Sequence, residues 1–200
     1  VSFSGSVRTL IEGARTKLEH MDWPRHIPTL TDRVITLRPL TSGDAPSVQA
    51  ASQDPLTAEF TVVPSPYTAA DARDFVDSRS VRVWPGFDLA IVDDTNSFLG
   101  LCGLRAEDDD AITAIGYAVA PWARGRGIAT RTTRLLIEYS WQIGAVRVGL
   151  DAYAENAASR AVARKCGFIE EGILRSAAQG KNGRRHDLVM HGLLRTDPGA

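Results

Sequence analysis

From residue 34 onward the apolar residues recur with two different periods. Val34-Ile35-Thr36-Leu37-Arg38 is β-branched and apolar and predicts a first strand. Leu89-Ala90-Ile91-Val92 and the run from Phe98 to Leu104 predict two more, joined as a hairpin through the polar turn at 93–97. A fourth, Ile112 to Val119, comes after an acidic turn at 107–110. Helical spacing takes over at Ile128, Thr132, Leu135, Leu136, Tyr139 and Ile143, with Gly144 placed to end that helix. Val146, Val148 and Leu150 then alternate with Arg147, Gly149 and Asp151, the period-2 mark of a fifth strand. A helix over Asn156 to Lys165 and strands over Phe168 to Arg175 and Asp187 to Leu194 complete the order. Nearer the start, Thr41-x-x-Asp44 and Thr68-x-x-Asp71 have capping-box spacing. They predict one helix running to Ser52 and another that buries Ala72, Phe75 and Val76. The segment from Asp54 to Tyr67, rich in Pro and Thr, reads as a loop.

Val7, Leu10, Ile11, Ala14, Leu18 and Met21 also recur at helical spacing, so residues 6–22 predict an amphipathic helix. Pro24 and Pro28 separate it from the rest of the chain. The organisation expected is a helical extension over 1–30 and one domain over 31–197, with the helix packed on the domain or paired with a partner or second copy. Composition narrows the picture. Two hundred residues suit one domain, and a net charge of −1 gives no support for binding nucleic acid or a membrane surface. The two cysteines, Cys102 and Cys166, lie far apart in apolar contexts and read as buried thiols. His186 and His191 have no carboxylate at metal-ligand spacing, so no metal is expected, although His191 is a candidate to line a site. No apolar run approaches the ~20 residues of a membrane span, and a secretory leader pattern is absent, so a cytoplasmic protein is expected.

The richest chemistry lies between the fourth strand and the helix after it, in Val119-Ala120-Pro121-Trp122-Ala123-Arg124-Gly125-Arg126-Gly127-Ile128-Ala129-Thr130. Glycines let backbone N–H groups approach an anion, and the positive end of the helix and two arginines add charge. A nucleoside-triphosphate loop needs Gly-Lys-Ser/Thr, whereas Gly127 precedes Ile128-Ala129. The dinucleotide fingerprint fits better, with Asp151 ending the next strand as a ribose acid. Thr130 nevertheless replaces its third small residue, and the unit comes after antiparallel-looking strands.

Read as Arg124-x-x-Gly127-x-Ala129, the loop resembles the pyrophosphate signature of the GNAT superfamily of acyl-CoA-dependent N-acyltransferases. Asn156-Ala157-Ala158-Ser159 with Gly167-Phe168 beyond it resembles the helix after the fifth strand of that family. The segment Thr31 to Leu40, Glu171-Gly172-Ile173-Leu174-Arg175 and Asp187 are similar to the Rim-type branch, which includes ribosomal-protein N-terminal acetyltransferases and small-amine relatives.

The resemblance implies an α/β (α+β) GNAT fold: a mixed, mostly antiparallel twisted sheet flanked by helices, its fourth and fifth strands splayed apart. The pantetheine arm would pair with Tyr117, Ala118 and Val119. The pyrophosphate would sit on Arg124, Gly125, Arg126, Gly127, Ile128, Ala129 and Thr130. Asn156 would hydrogen-bond the pantetheine, and Arg131 and Arg164 are candidates for the 3′-phosphate. The implied reaction is direct attack by a primary amine on acetyl-CoA or another acyl-CoA, with the Val119 N–H stabilising the oxyanion. The partners expected are therefore the thioester and an amine acceptor. A non-catalytic acyl-CoA-binding module is the alternative. Three positions depart from the family: Ala163 where a catalytic Tyr is common, Ala114 where a Glu is common, and His191 where the branch carries an aromatic.

Ser159 is then the candidate acid for the departing thiolate. Asp151, Glu155 and Asp187 are the nearest substitutes for the base. Freeing an α-amine of pKa near 8 costs about 1.4 kcal/mol at pH 7, against roughly 4.6 kcal/mol for lysine. A site without a strong base thus suits a protein N-terminus or another weakly basic amine. Phe60, Tyr67, Trp84, Lys181 and Arg184 are candidates for its entrance.

Overall fold

The computed structural model describes residues 21–61, 63–107, 111–180 and 183–198. Alternation along the chain explains how its sheet is covered on both faces. In β3 (Gly86–Val92), Phe87, Leu89 and Ile91 enter one hydrophobic cluster, while Ala90 and Val92 enter another on the opposite face. Helices supply the two coverings. The first cluster is closed by α4 (Ile128–Gln142) and α5 (Ala157–Lys165) through Leu136, Ile137 and Ala163. The second is closed by α1 (Ala45–Ser52) and α3 (Ala69–Arg79) through Val48, Ala72 and Val76.

The remaining strands are β1 (Leu30–Thr31), β2 (Thr36–Pro39), β4 (Phe98–Glu107), β5 (Ile112–Val119), β6 (Arg147–Tyr153), β7 (Ile169–Gln179) and β8 (Arg185–Leu194). They form one sheet in the order β1-β2-β3-β4-β5-β6-β8-β7. Among the described residues β5 and β6 are the one parallel pair of neighbours, and the other pairs are antiparallel. The architecture is the α/β fold expected, with a two-residue strand, β1, added at the edge.

β5 and β6 pair only at Ile112↔Arg147, Thr113↔Val148 and Ala114↔Gly149. Both strands continue past that point, β5 to Val119 and β6 to Tyr153, so they splay apart. A buried hydroxyl chain fixes β5 against the helix beside it: Thr113 Oγ1 donates to Ser140 Oγ at 3.0 Å, and Ser140 donates to the Leu136 carbonyl at 2.8 Å.

Several expectations shift in detail. The segment read as a loop from Asp54 to Tyr67 contains a short helix, α2 (Pro55–Phe60). Asp54 starts it by accepting the Thr57 N–H at 2.9 Å, a cap that the Pro and Thr content masked. Val146, expected on the buried face of the fifth strand, precedes β6 and is 52% exposed, whereas Val148 and Leu150 are buried. Tyr67 and Trp84 do not reach an entrance. Tyr67 is buried in the second cluster, and Trp84 packs edge-on against Trp23. The helix expected over 6–22 falls almost wholly outside the described residues, as does Lys181. Met21, Trp23, Ile27 and Leu30 pack against the first cluster, and Trp23 Nε1 donates to the Val83 carbonyl at 2.7 Å.

The capping box at Thr41 is more than a helix start. Asp44, buried, accepts from the Thr41 N–H at 2.7 Å and from both terminal nitrogens of Arg38 at 2.8 Å. Burial pushes this carboxyl up, but the hydrogen bonds from Arg38 and Thr41 outweigh it and hold the carboxyl below its ordinary value. Because the folded pKa is the lower one, the Asp44 contribution is complete above about pH 4 and is lost as pH falls through the folded value. Asp44→Asn should therefore flatten the acid limb of a stability–pH curve below about pH 4, read by denaturant unfolding. An unchanged acid limb would contradict this.

Candidate active site

The Gly loop sits where β5 hands the chain to α4. Gly125 and Gly127 have φ of 75° and 76°, left-handed values that favour glycine. A Cβ at either position would meet open space, so both face outward from packed protein. Gly127 is the N-cap of α4 and offers no side chain, and the first intrahelical bond runs from the Arg131 N–H to the Gly127 carbonyl at 3.1 Å. The N–H groups of Ile128, Ala129 and Thr130 therefore have no helical acceptor. Free donors, a helix dipole and room for close approach suit a pyrophosphate.

Side-chain charge is arranged differently from the sequence expectation. Arg124 turns away from the loop to α2, donating to Asp54 Oδ1 at 2.5 Å and to Thr57 Oγ1 at 2.9 Å. Arg131 donates to Asp32 Oδ2 at 2.6 Å. Arg126 and Arg164 are exposed. A depression beside Gly127 and Thr130 is lined by Arg131, Arg134 and Lys165. Sequence reasoning misses Arg134 and Lys165, although Arg134 lies one helical turn from Arg131 and Lys165 adjoins Arg164.

The splay leaves one edge of β5 unpaired. The Ala120 N–H donates to the Leu99 carbonyl at 2.9 Å, toward β4. Backbone polarity alternates along a strand, so the amides of Ala118 and Ala120 face β4 while those of Tyr117 and Val119 face the gap. The gap thus presents a backbone edge on which an extended amide-containing chain could pair, as the resemblance implies for pantetheine.

Across the gap, Asn156 caps α5: its Oδ1 accepts the Ser159 N–H at 3.0 Å. Its Nδ2 hydrogens are the donors that a ligand could use. The Ser159 Oγ does not bond back to the helix but meets the Tyr117 hydroxyl at 2.9 Å. The splay therefore brings Tyr117, Val119, Asn156 and Ser159 to one place, with the Gly loop at its end.

On the opposite face, Phe60 of α2 stands edge-on to Tyr153 at 6.2 Å, and Tyr153 stacks on His186 at 4.9 Å. With its hold on Arg124, α2 spans from the Gly loop to the end of β6. The base candidates differ. Glu155 lies 3.2 Å from Arg184 and 3.3 Å from His186, and its carboxyl is held low by its own backbone N–H and by His186. Asp187 accepts the Ser176 N–H at 2.7 Å. Asp151, on the exposed face of β6, is pushed up by partial desolvation and by the charge of Glu107. A general base takes a proton more readily the closer its pKa lies to the working pH, and the raised Asp151 suits that better than the lowered Glu155. His191 is buried, its Nδ1 donates to the Leu150 carbonyl at 3.1 Å, and its Nε2 has no partner among the described residues. Both cysteines are free and buried, and burial pushes the Cys102 thiol up.

A mixed sheet opened between two parallel strands, with an uncapped Gly-rich helix start at the mouth of the opening, defines the class. The chain belongs to the GNAT acetyltransferase family: residues 34–169 match the family model described as Acetyltransferase (GNAT) domain. Among curated relatives it is similar to YdaF of Bacillus subtilis (strain 168), named provisionally as a ribosomal N-acetyltransferase. The two are 40% identical over 102 residues, 48% of this chain and 55% of YdaF. That match agrees with the resemblance to the Rim-type branch. The chain spans about half the length of the curated relatives it matches. Two solved structures share the fold. A GCN5-related N-acetyltransferase from Brucella melitensis superposes with a TM-score of 0.75 at 24% identity, covering 88% of this chain and 81% of that one. RimL, a ribosomal alpha-N-protein acetyltransferase solved with coenzyme A, gives 0.75 at 22% identity, covering 84% and 98%.

Proposed function

We propose that the chain transfers an acetyl group from acetyl-CoA to a primary amine by direct attack. The observation that carries this reading is the splay beyond Ala114 and Gly149, which opens onto the uncapped N-terminus of α4. In coenzyme A the pyrophosphate joins a 3′-phosphoadenosine to an amide-rich arm, and the helix start and the splayed edge lie in the order of the pyrophosphate and that arm. RimL was solved with coenzyme A, which supports the same ligand here.

In this reading the amine enters from the face roofed by α2, and its nitrogen attacks the thioester carbonyl. The Val119 N–H takes the oxyanion that forms, and Ser159 lies toward the leaving sulfur. The amine gives up a proton as the C–N bond forms, and the thiolate gains one as the C–S bond breaks. Asp151 is the carboxylate best suited to receive the first, directly or through water. The acceptor class comes from the same balance. A weakly basic α-amine asks little of such a base, whereas lysine costs on the order of 3 kcal/mol more to deprotonate at neutral pH. YdaF and RimL carry names that refer to ribosomal proteins, which supports a protein N-terminus over lysine as the acceptor.

The test is an acceptor panel with acetyl-CoA, read by mass shift and thiol release. Peptides with free N-termini and blocked lysines, or small weakly basic amines, should gain an acetyl group, while N-blocked lysine peptides should lag at least tenfold. The reverse ranking would contradict the α-amine reading. No thiol release with any amine would leave a binding module in place of an enzyme.

A further inference from the structure

The Tyr117–Ser159 contact links β5 to α5 through side-chain hydroxyls. Tyr117 lies on β5 just past the last residue paired to β6, and Ser159 lies in the first turn of α5. Their hydroxyls meet at 2.9 Å across the opening. Ser159 is held from a second direction by Asn156, which takes its backbone N–H. Its place and its hydroxyl orientation are therefore set by two different residues.

Acid strength shows why the second hydroxyl matters. A departing thiolate has a conjugate acid pKa of about 8.5. An aliphatic hydroxyl is about as weak an acid as water, so serine alone is a poor proton source for it. A phenol, near 10, is far closer. Burial pushes the Tyr117 phenol up, the Ser159 hydrogen bond pulls it down, and the nearby Cys166 adds to the rise, so the phenol is protonated at neutral pH.

Sterics show why the phenol comes from a strand. Ala163, where a helix tyrosine is common in the family, is fully buried in the first cluster. A ring there would have to displace packed core. The Tyr117 ring reaches the same helix from β5, one turn nearer its start.

We propose that Tyr117 is a positioning residue that acts through Ser159. Its phenol donates to Ser159 Oγ, which leaves the serine O–H to point at the thioester sulfur. As the C–S bond breaks, the serine proton passes to sulfur and the tyrosine proton passes to serine. The phenolate recovers a proton from water, and the proton that the amine has passed to Asp151 returns to water, so the count closes. The inference rests on the acyl-CoA reading above.

The test uses coenzyme A as the probe and needs no acceptor. The full chain is saturated with coenzyme A, and the thiol of the bound molecule is titrated by thiolate absorbance. In the wild type its midpoint should lie below that of free coenzyme A. Tyr117→Phe keeps the ring and should raise the midpoint by about half a unit, roughly threefold less thiolate at a fixed pH. Ser159→Ala should raise it at least as much, and the double variant no further than Ser159→Ala alone. A Tyr117→Phe midpoint equal to wild type, beside a shifted Ser159→Ala, overturns the relay and leaves Ser159 in place. Additive shifts also overturn it, because the two hydroxyls would then act separately. If the wild type binds no coenzyme A, the reading beneath the proposal falls with it.

Discussion

Gly127→Val should weaken acetyl-CoA binding on the order of a hundredfold, the largest effect expected of any single change at the site. Gly127 holds φ at 76° as the N-cap of α4. A β-branched residue there costs about 1–3 kcal/mol, and the helix can relieve that strain only by rotating its first peptides. Those peptides carry the N–H groups that have no helical acceptor, so relief disperses the donors aimed at the pyrophosphate. Each 1.4 kcal/mol is a factor of about ten, so strain alone can account for most of the loss. Gly127→Asn separates conformation from crowding, because Asn enters the left-handed region readily. It should retain more affinity than Gly127→Val in a calorimetric titration. Equal losses would mean that side-chain bulk near the ligand, and not backbone conformation, sets the effect.

Phe87→Ala should cost about 3–5 kcal/mol of stability, a large part of the 5–15 kcal/mol typical of a domain. Phe87 is completely buried in β3 and contacts Trp23 at 5.6 Å and Tyr139 of α4 at 6.1 Å between ring centroids. Removing the ring opens a cavity between the sheet, α4 and the segment before β1, and three elements must move together to close it. Denaturant unfolding should show a lower midpoint with an unchanged slope. A loss under about 1 kcal/mol would mean that the site collapses without difficulty.

The parts of the fold that were legible in the sequence are those governed by local rules. The box at Thr68 is closed as its spacing foretold, with Asp71 accepting from the Thr68 N–H at 2.7 Å. The period-2 run over Val148 and Leu150 and the helical run after Gly127 reappear in β6 and α4 because each has one buried face. The cap that Asp54 gives Thr57 is local but masked by the Pro and Thr content around it, whereas its ion pair with Arg124 spans 70 positions, and no local pattern reports such a pair. Arg124 shows the same limit from the other side. Its motif marks a phosphate loop, yet its guanidinium is taken up by α2. Ser159 was legible as a helix residue in a family motif, whereas its Tyr117 partner depends on where β5 and β6 part. That divergence is a tertiary fact. The missing helix tyrosine at Ala163 therefore looks like a lost function in the bare chain, and like a filled core position once the sheet is in view.

The central claim is that one opening, from the Gly loop to the splay, holds an acyl-CoA. Hydrogen exchange with and without acetyl-CoA tests it residue by residue, because the amides in question have no helical or ladder acceptor in the free chain. Acetyl-CoA should slow exchange at 125–130 and at Val119, and leave the β3–β4 ladder unchanged. Protection confined to other segments, or equal protection by a nicotinamide dinucleotide, would contradict it.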